Sequence, residues 1–170
     1  MKLIGDRIIL RPFEMKDAKE HLKGEDTEQI KWLSGGKSNI ENVKKFITKN
    51  IKYWDNNGPV FTFAITLSDS TLIGMIEANP DYKSIEGLKD GDVNISYGIY
   101  PDYRGKGYAI EAISLFLGFL KAKGGTQAVM RVNPENKSSL RIPEKLGFEK
   151  INTITTKDKE IMDVFIKNLN

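Results

Sequence analysis

Cysteine is absent from the 170 residues, and histidine occurs once. The lack of thiols excludes disulfides, thiolate zinc sites and a covalent mechanism through a sulfur nucleophile. One histidine, His21, is too little to build a metal cluster or a Ser-His-Asp triad, and its charged surroundings predict a surface position on a helix. Long hydrophobic runs are also missing, so the sequence predicts neither a membrane span nor a signal peptide, and we expect a cytoplasmic protein.

An excess of charge of one sign is missing as well. The 26 basic and 23 acidic residues are interspersed and leave a net charge of +3. Because no basic stripe is present, we expect neither nucleic acid nor a membrane as a partner. The chain length and a hydrophobic content of 39% suffice for one buried core, which predicts a single domain over residues 1–170.

What the sequence does contain is a regular succession of apolar patterns. Their periods predict a strand, two helices, three strands, a helix, a strand, a helix and two strands, which is an α/β arrangement with helices on the faces of a mixed sheet. Ser38 and Glu41 fit a capping box at the start of the second helix, and the polar residues 80–91 predict a loop. The predicted strands cover residues 8–10, 60–67, 72–78, 93–100, 128–132, 148–154 and 161–166, and the predicted helices cover residues 15–22, 40–54, 109–120 and 136–146.

The most informative segment is residues 104–109, RGKGYA, which lies between the fourth predicted strand and the third predicted helix. Amide N–H groups at the start of a helix have no partner inside the helix and carry a positive partial charge. Glycines let an anion approach these amides without a Cβ in the way. The segment therefore predicts a phosphate-binding loop.

Three other interpretations of this loop differ in the side chains that they require. A P-loop needs Ser or Thr after its lysine, whereas Gly107 follows Lys106. A dinucleotide fingerprint needs a third glycine where Ile110 stands, and it follows the first strand of its fold instead of the fourth. A structural turn, in which Gly105 and Gly107 only supply unusual dihedral angles, stays open.

The pattern R-x-x-G-x-A at residues 104–109 resembles the Arg/Gln-x-x-Gly-x-Gly/Ala signature of the GNAT superfamily of acetyltransferases. Residues 97–112 are similar to the strand-loop-helix core of that family. Residues 133–139 and 144–148 are similar to its second conserved block. Two blocks at the right separation, in the expected order of elements, identify the chain as a member of the superfamily.

The resemblance extends to the first half of the chain. Residues 10–12, LRP, and 72–74, LIG, are similar to the branch that contains the ribosomal-protein N-terminal acetyltransferases for alanine and serine. Nearly the whole chain is thus covered. The resemblance implies the GNAT fold, an α/β (α+β) class with a mostly antiparallel central sheet of about seven strands flanked by about four helices.

The resemblance also implies an activity and a set of site residues. The activity is transfer of an acetyl group from acetyl-coenzyme A (acetyl-CoA) to a primary amine, on a protein N-terminus or a small molecule, without a metal. Backbone amides of the glycine loop would hold the cofactor pyrophosphate, residues 98–100 would pair with the pantetheine arm, and Ser139 would protonate the leaving thiolate. The implied cofactor-binding residues are Gly98, Ile99, Tyr100, Arg104, Gly105, Lys106, Gly107, Tyr108, Ala109, Asn136 and Ser139.

The sequence indicates the general base less directly than the cofactor-binding residues. Many relatives carry a glutamate on the fourth predicted strand where this sequence has Asn94, and an amide cannot accept the proton. Glu77 on the third predicted strand, or a water chain to Asp92, can substitute, while a merely solvated Glu77 is the alternative. Without a cysteine we expect direct attack by the amine in a ternary complex, with amides near Ile99 and Tyr100 stabilising the oxyanion.

Two other functions stay open. Because Asn94 replaces the glutamate of many relatives, a non-catalytic domain that binds or senses acyl-CoA is the second hypothesis. A nucleotide-binding module is the third. We expect residues 80–91 and 32–38 to select the acceptor amine. The expected assembly is a monomer or a homodimer.

Overall fold

Eight strands and five α-helices are formed by residues 1–34 and 36–170, the part of the chain that the computed structural model describes. The strands are β1 (Leu3–Ile4), β2 (Ile8–Pro12), β3 (Phe61–Leu67), β4 (Leu72–Asn79), β5 (Asp92–Ile99), β6 (Gln127–Val132), β7 (Glu149–Thr155) and β8 (Ile161–Asn168). The helices are α1 (Ala18–Lys23), α2 (Thr27–Gln29, continued by the π-helical residues Ile30–Ser34), α3 (Ile40–Asp55), α4 (Tyr108–Ala122) and α5 (Lys137–Lys145).

The strands follow the order β1-β2-β3-β4-β5-β6-β8-β7 in one sheet. β5 and β6 are parallel, whereas β1 with β2, β2 with β3, β6 with β8 and β7 with β8 are antiparallel. The predicted mixed, mostly antiparallel sheet with flanking helices is therefore confirmed.

The described residues divide into two compact units. One comprises Met1–Glu77 with Ser96–Leu115, and the other comprises Ala78–Ile95 with Phe116–Asn170. Strands β4 and β5 and helix α4 each contribute residues to both units. One domain over residues 1–170 stays a prediction.

Helix α3 covers part of the core of the first unit because its apolar residues recur at helical spacing. Val43 and Ile47 are buried in a cluster with Phe13, Ala64 and Leu72. These five side chains come from the residue after β2, from α3, and from β3 and β4. Removal of this apolar surface from water is the main term that stabilises the unit.

The start of α3 differs from the prediction. The N-cap is Asn39, whose side chain accepts the Asn42 N–H at 2.9 Å, and the helix begins at Ile40. The Ser38 N–H instead donates to the Glu25 carboxylate at 2.8 Å. The predicted capping box on Ser38 is wrong because asparagine, an equally good cap, stands one residue later.

A buried ion pair fixes the chain after β2. Arg11 Nη1 and Nη2 donate to the two carboxylate oxygens of Asp17 at 2.7 and 2.8 Å, and the Glu14 N–H donates to the same carboxylate at 2.8 Å. Burial opposes ionisation of Asp17, but the hydrogen bonds from Arg11 and Glu14 outweigh it and hold the Asp17 pKa below its usual value. Arg11, in the LRP segment, thus has a structural role.

In the second unit β6 lies between β5 and β8. Asn94 on β5 faces Val129 on β6, and Met130 on β6 faces Phe165 on β8. Val129, Met130 and Phe165 are buried. Burial of three consecutive residues, Ala128, Val129 and Met130, explains why the middle of β6 is apolar without alternation.

Two elements of the first unit were not predicted. β1 has only two residues, and α2 with its π-helical continuation lies in a segment without clear periodicity. Asp26 caps α2 by accepting the Gln29 N–H at 2.9 Å.

Within the described residues, no helix combines the length and apolar character that crossing a membrane requires.

Candidate active site

The glycine loop follows β5 and a single 3-10 turn, Pro101–Tyr103, and leads directly into α4. Gly105 and Gly107 have φ angles of 74° and 83°. Side chains with a Cβ rarely adopt these left-handed angles, so the backbone path itself requires glycine at both positions.

The open side of the loop presents main-chain donors. Residues 104–107 are exposed. The Glu111 N–H bonds to the Gly107 carbonyl at 3.2 Å, so the N–H groups of Tyr108 and Ala109 precede the first bonded turn of α4 and have no acceptor within the helix. A Cβ added at Gly105 would meet no atom within 4 Å. An anion can therefore reach these amides.

The Arg104 side chain is partly exposed and lies against the start of α2. Its Nη1 and Nη2 donate to the Asp26 carboxylate at 2.6 and 2.8 Å, and its Nε donates to the Ile99 carbonyl at 2.8 Å. The hydrogen bonds from Arg104 are the largest cause that lowers the pKa of Asp26. The guanidinium thus joins the end of β5 to the N-cap of α2.

Lys106 folds back over the turn that precedes it. Its Nζ donates to the Asp102 carbonyl at 2.8 Å and lies 5.5 Å from the centroid of the Tyr103 ring. The ammonium is therefore held near the loop, on the side of the 3-10 turn.

Sequence reasoning missed Arg7, in the turn between β1 and β2. Its main-chain N–H and its Nε donate to the two oxygens of Glu111 at 2.8 and 2.9 Å, and its Nη1 donates to the Lys106 carbonyl at 2.8 Å. Its guanidinium carbon lies 4.9 Å from the centroid of the Tyr108 ring. Arg7 carries no periodic or motif signal, because its partners lie about a hundred residues further along the chain.

The end of β5 packs tightly against β4. The Tyr100 N–H donates to the Ile73 carbonyl at 2.8 Å. A Cβ at Gly74 would overlap the Gly98 carbonyl oxygen, so glycine is required there. Of the amides near Ile99 and Tyr100 that we expect to stabilise the oxyanion, the Tyr100 N–H is already paired with β4.

The side chain of Tyr100 is fixed by His21. Tyr100 is buried, and its hydroxyl lies 2.5 Å from His21 Nδ1. The imidazole stacks on Phe46 with ring centroids 5.4 Å apart and meets Phe13 edge-on. Burial lowers the pKa of His21 to about 4, against the opposing charges of Asp17 and Glu25. His21 lies on a helix, α1, as predicted, but it is half-buried instead of fully exposed, because these aromatic partners are distant in sequence.

The π-helical segment after α2 covers Gly98. A Cβ at Gly98 would lie 2.7 Å from Leu33 Cδ1 and 3.6 Å from the Gln29 carboxamide. Leu33 itself is 43% exposed, so part of its apolar side chain faces outward beside this strand. Of the segment 32–38, which we expect to select the acceptor, Gly35 lies outside the described residues.

Glu77 on β4 has a defined environment. The Thr62 hydroxyl lies 2.9 Å from Glu77 Oε2 and 2.9 Å from Asn50 Oδ1, and both Thr62 and Asn50 are buried. Burial raises the pKa of Glu77, although the Thr62 hydrogen bond and the charge of Lys49 act in the opposite direction. The interpretation of Glu77 as a merely solvated carboxylate is wrong.

The other candidate acid–base residues lie in the second unit. Asn136 Oδ1 accepts the Ser139 N–H at 3.3 Å and the Ser138 hydroxyl at 2.9 Å, so Asn136 is the N-cap of α5 and Ser139 stands in its first turn. Asn94 is buried on β5. Asp92 is also buried, and its carboxylate accepts the Lys89 N–H at 2.9 Å.

Residues 7–149 match the family model described as an acetyltransferase (GNAT) domain. The chain belongs to the GNAT acetyltransferase family. This match spans both predicted blocks. It confirms the predicted enzyme class, an N-acetyltransferase with acetyl-CoA as co-substrate.

Two curated relatives agree with the family match. An N-acetyltransferase 9-like protein from Dictyostelium discoideum is 26% identical over 179 residues, which cover 94% of this chain and 82% of the relative. The uncharacterized N-acetyltransferase YnaD from Bacillus subtilis is 28% identical over 152 residues, which cover 88% of this GNAT chain and 84% of the relative.

Solved structures share the GNAT fold. A ribosomal-protein-S5-alanine acetyltransferase from Vibrio fischeri superposes with a TM-score of 0.82 at 16% identity, over 100% of this chain and 97% of the other. The microcin C7 self-immunity acetyltransferase MccE, solved with acetyl-CoA and AMP, gives a TM-score of 0.80 at 18% identity, over 96% of this chain and 93% of the other.

Proposed function

We propose that this GNAT enzyme holds the acetyl-CoA pyrophosphate on the main-chain amides of Gly105, Gly107, Tyr108 and Ala109. The observation that carries the proposal is the exposed, left-handed glycine loop at the start of α4. Successive amides in such a loop, together with the positive end of a helix, form a concave anion site. In this interpretation Gly98, Ile99 and Tyr100 line the path of the pantetheine arm, and Arg104 and Lys106 hold the loop around the phosphates.

The chemical step that we propose is direct attack of a primary amine on the thioester. No cysteine is present to form an acyl-enzyme, so amine and acetyl-CoA are bound together. Glu77 accepts the proton from the amine, and Ser139 donates a hydrogen bond to the departing thiolate. The raised pKa of Glu77 supports this role because it brings the carboxylate nearer to the operating pH of a general base.

Similar proteins and the residues near Gly98 support a class of acceptor amine. Ribosomal-protein and microcin-immunity acetyltransferases share the fold, which supports a peptide N-terminus or a small amino compound. The partly exposed Leu33 beside Gly98 favours an acceptor with an apolar group next to its amine. A cytoplasmic monomer or homodimer remains our prediction.

An acyl-CoA sensor is the second candidate, because Asn94 stands where many relatives have the base. The test is release of free coenzyme A thiol from acetyl-CoA with a panel of peptide and small-molecule amines. Turnover with any amine supports the enzyme. Tight acetyl-CoA binding without turnover for the whole panel supports the sensor and contradicts the acid–base roles of Glu77 and Ser139.

A further inference from the structure

We infer that Arg7 is a direct phosphate ligand of the bound acetyl-CoA, an inference that rests on the proposed cofactor loop. The residue lies outside the signature segment 104–109 and enters the site from the turn between β1 and β2. The Gly5 N–H donates to the Ile8 carbonyl at 2.9 Å, which closes this turn and brings Arg7 to α4.

The guanidinium of Arg7 is oriented by contacts on two of its three nitrogens. Nε is bound to Glu111 and Nη1 to the Lys106 carbonyl. The third nitrogen, Nη2, lies 3.4 Å from the position that a Cβ on Gly107 would take. Nη2 therefore lies close to Gly107, whose amide belongs to the proposed anion site.

The same contacts make Arg7 a prepared ligand. Its main-chain N–H and its Nε both donate hydrogen bonds to the Glu111 carboxylate, and its guanidinium packs on the Tyr108 ring. Little side-chain freedom is left to lose on binding, so a phosphate contact costs less entropy. The side chain is still 50% exposed, so a ligand can reach it.

The other two cations of the loop are directed elsewhere. Arg104 is paired with Asp26, and the Lys106 ammonium is bound to the Asp102 carbonyl. Arg7 is thus the cation of this group whose third side-chain nitrogen lies close to Gly107. A phosphate on the amides would receive from Nη2 a charge-assisted hydrogen bond.

The test is calorimetric titration of the full chain with acetyl-CoA and with acetyl-3′-dephospho-CoA. We expect Arg7→Gln to weaken acetyl-CoA binding by about tenfold, as for loss of one hydrogen bond to a charged group. Arg7→Lys keeps the positive charge but loses the planar guanidinium, so its affinity for acetyl-CoA should lie between those of the parent and of Arg7→Gln. Lys121→Gln, at the other end of α4, is the matched control for loss of one positive charge and should bind as the parent does.

Glu111→Gln distinguishes a direct phosphate contact of Arg7 from a purely structural role of the Arg7–Glu111 pair. The glutamine keeps a side-chain oxygen that can accept a hydrogen bond from Arg7 and removes a negative charge near the loop, so a direct ligand predicts binding at least as tight as in the parent. If Glu111→Gln weakens binding as much as Arg7→Gln, or if neither Arg7 variant changes it, the inference is overturned.

The dephospho analogue tells which phosphate is bound. A loss that disappears with the analogue assigns Nη2 to the 3′-phosphate, and a loss that persists assigns it to the pyrophosphate; both outcomes support the inference. If the parent protein binds neither compound, the proposed cofactor loop itself is wrong. If the parent protein binds acetyl-CoA and the Arg7→Gln variant binds it equally well, only the inference about Arg7 is overturned.

Discussion

Arg104 and Asp26 form a two-pronged ion pair, with Nη1–Oδ2 and Nη2–Oδ1 distances of 2.6 and 2.8 Å. Asp26 also caps α2, and Arg104 also binds the Ile99 carbonyl. One side chain therefore connects the glycine loop to the segment that covers Gly98. Arg104, the arginine of the family signature, thus makes a structural contact in this chain. Its partner, Asp26, belongs to no sequence motif.

Asp26→Asn tests this connection. Asparagine keeps the N-cap but loses the charge partner of Arg104, so we expect the KM for acetyl-CoA to rise about fivefold through looser positioning of the loop. The free energy of unfolding should change by less than about 1 kcal/mol, because the pair is partly exposed. Steady-state kinetics and urea unfolding measure the two effects. Glu41→Gln, which breaks the exposed pair with Lys44, is the control, and an equal KM in both variants would contradict the connection.

The glycine loop can be tested with a single methyl group. Gly105→Ala places a Cβ in open space but at a φ of 74°, so we expect a loss of about 1–2 kcal/mol in unfolding free energy and a loss of acetyl-CoA binding of about tenfold or more. Gly118→Ala in α4 is the control: it also meets no atom within 4 Å and should stabilise the helix by about 1 kcal/mol. Undiminished acetyl-CoA binding by Gly105→Ala would argue for a purely structural turn.

His21 offers an unambiguous pH measurement, because the chain has a single imidazole. We expect its NMR titration midpoint at about 4, well below the ordinary 6.5, since burial disfavours the charged form. Between those two values the unfolded chain binds more protons than the folded one, so stability falls as pH drops from 6.5 to about 4 and this loss stops below it. A midpoint near 6.5 would mean that the Phe13–Phe46–Tyr100 surroundings are open to water.

Glu77→Gln tests the base. Glutamine keeps a hydrogen-bond partner for Thr62, so the fold should persist while kcat falls by about a hundredfold or more. In the parent enzyme the rate should fall as pH is lowered through a pKa above the usual glutamate value of about 4.3, and this limb should vanish in the variant. If Asp92→Asn abolishes the limb and Glu77→Gln does not, Asp92 serves the base and the assignment to Glu77 is wrong.

Local signals predicted the elements around the loop well. The glycines at 105 and 107 and the apolar period that follows define a strand, a turn and a helix over a short stretch, and the structure has β5, the left-handed loop and α4 there. The hairpin of β3 and β4 was predicted for the same reason, since its turn is built from neighbouring residues.

Residues whose role depends on distant partners were beyond such signals. Arg7 and Asp26 gain their roles from Glu111 and Arg104, which lie 104 and 78 positions away. The neighbours of His21 in sequence predict a polar surface position, and aromatic rings from other elements bury part of its side chain. Propensity and period describe a residue's neighbours in sequence, and tertiary contacts override them.

The most direct test of the proposed cofactor site is a crystal structure of the chain with acetyl-CoA bound. We predict pyrophosphate oxygens within about 3 Å of the amide nitrogens of Gly107, Tyr108 and Ala109, at the first turn of α4. A complex in which the pyrophosphate lies away from these amides, with the glycine loop unchanged and solvated, would contradict it.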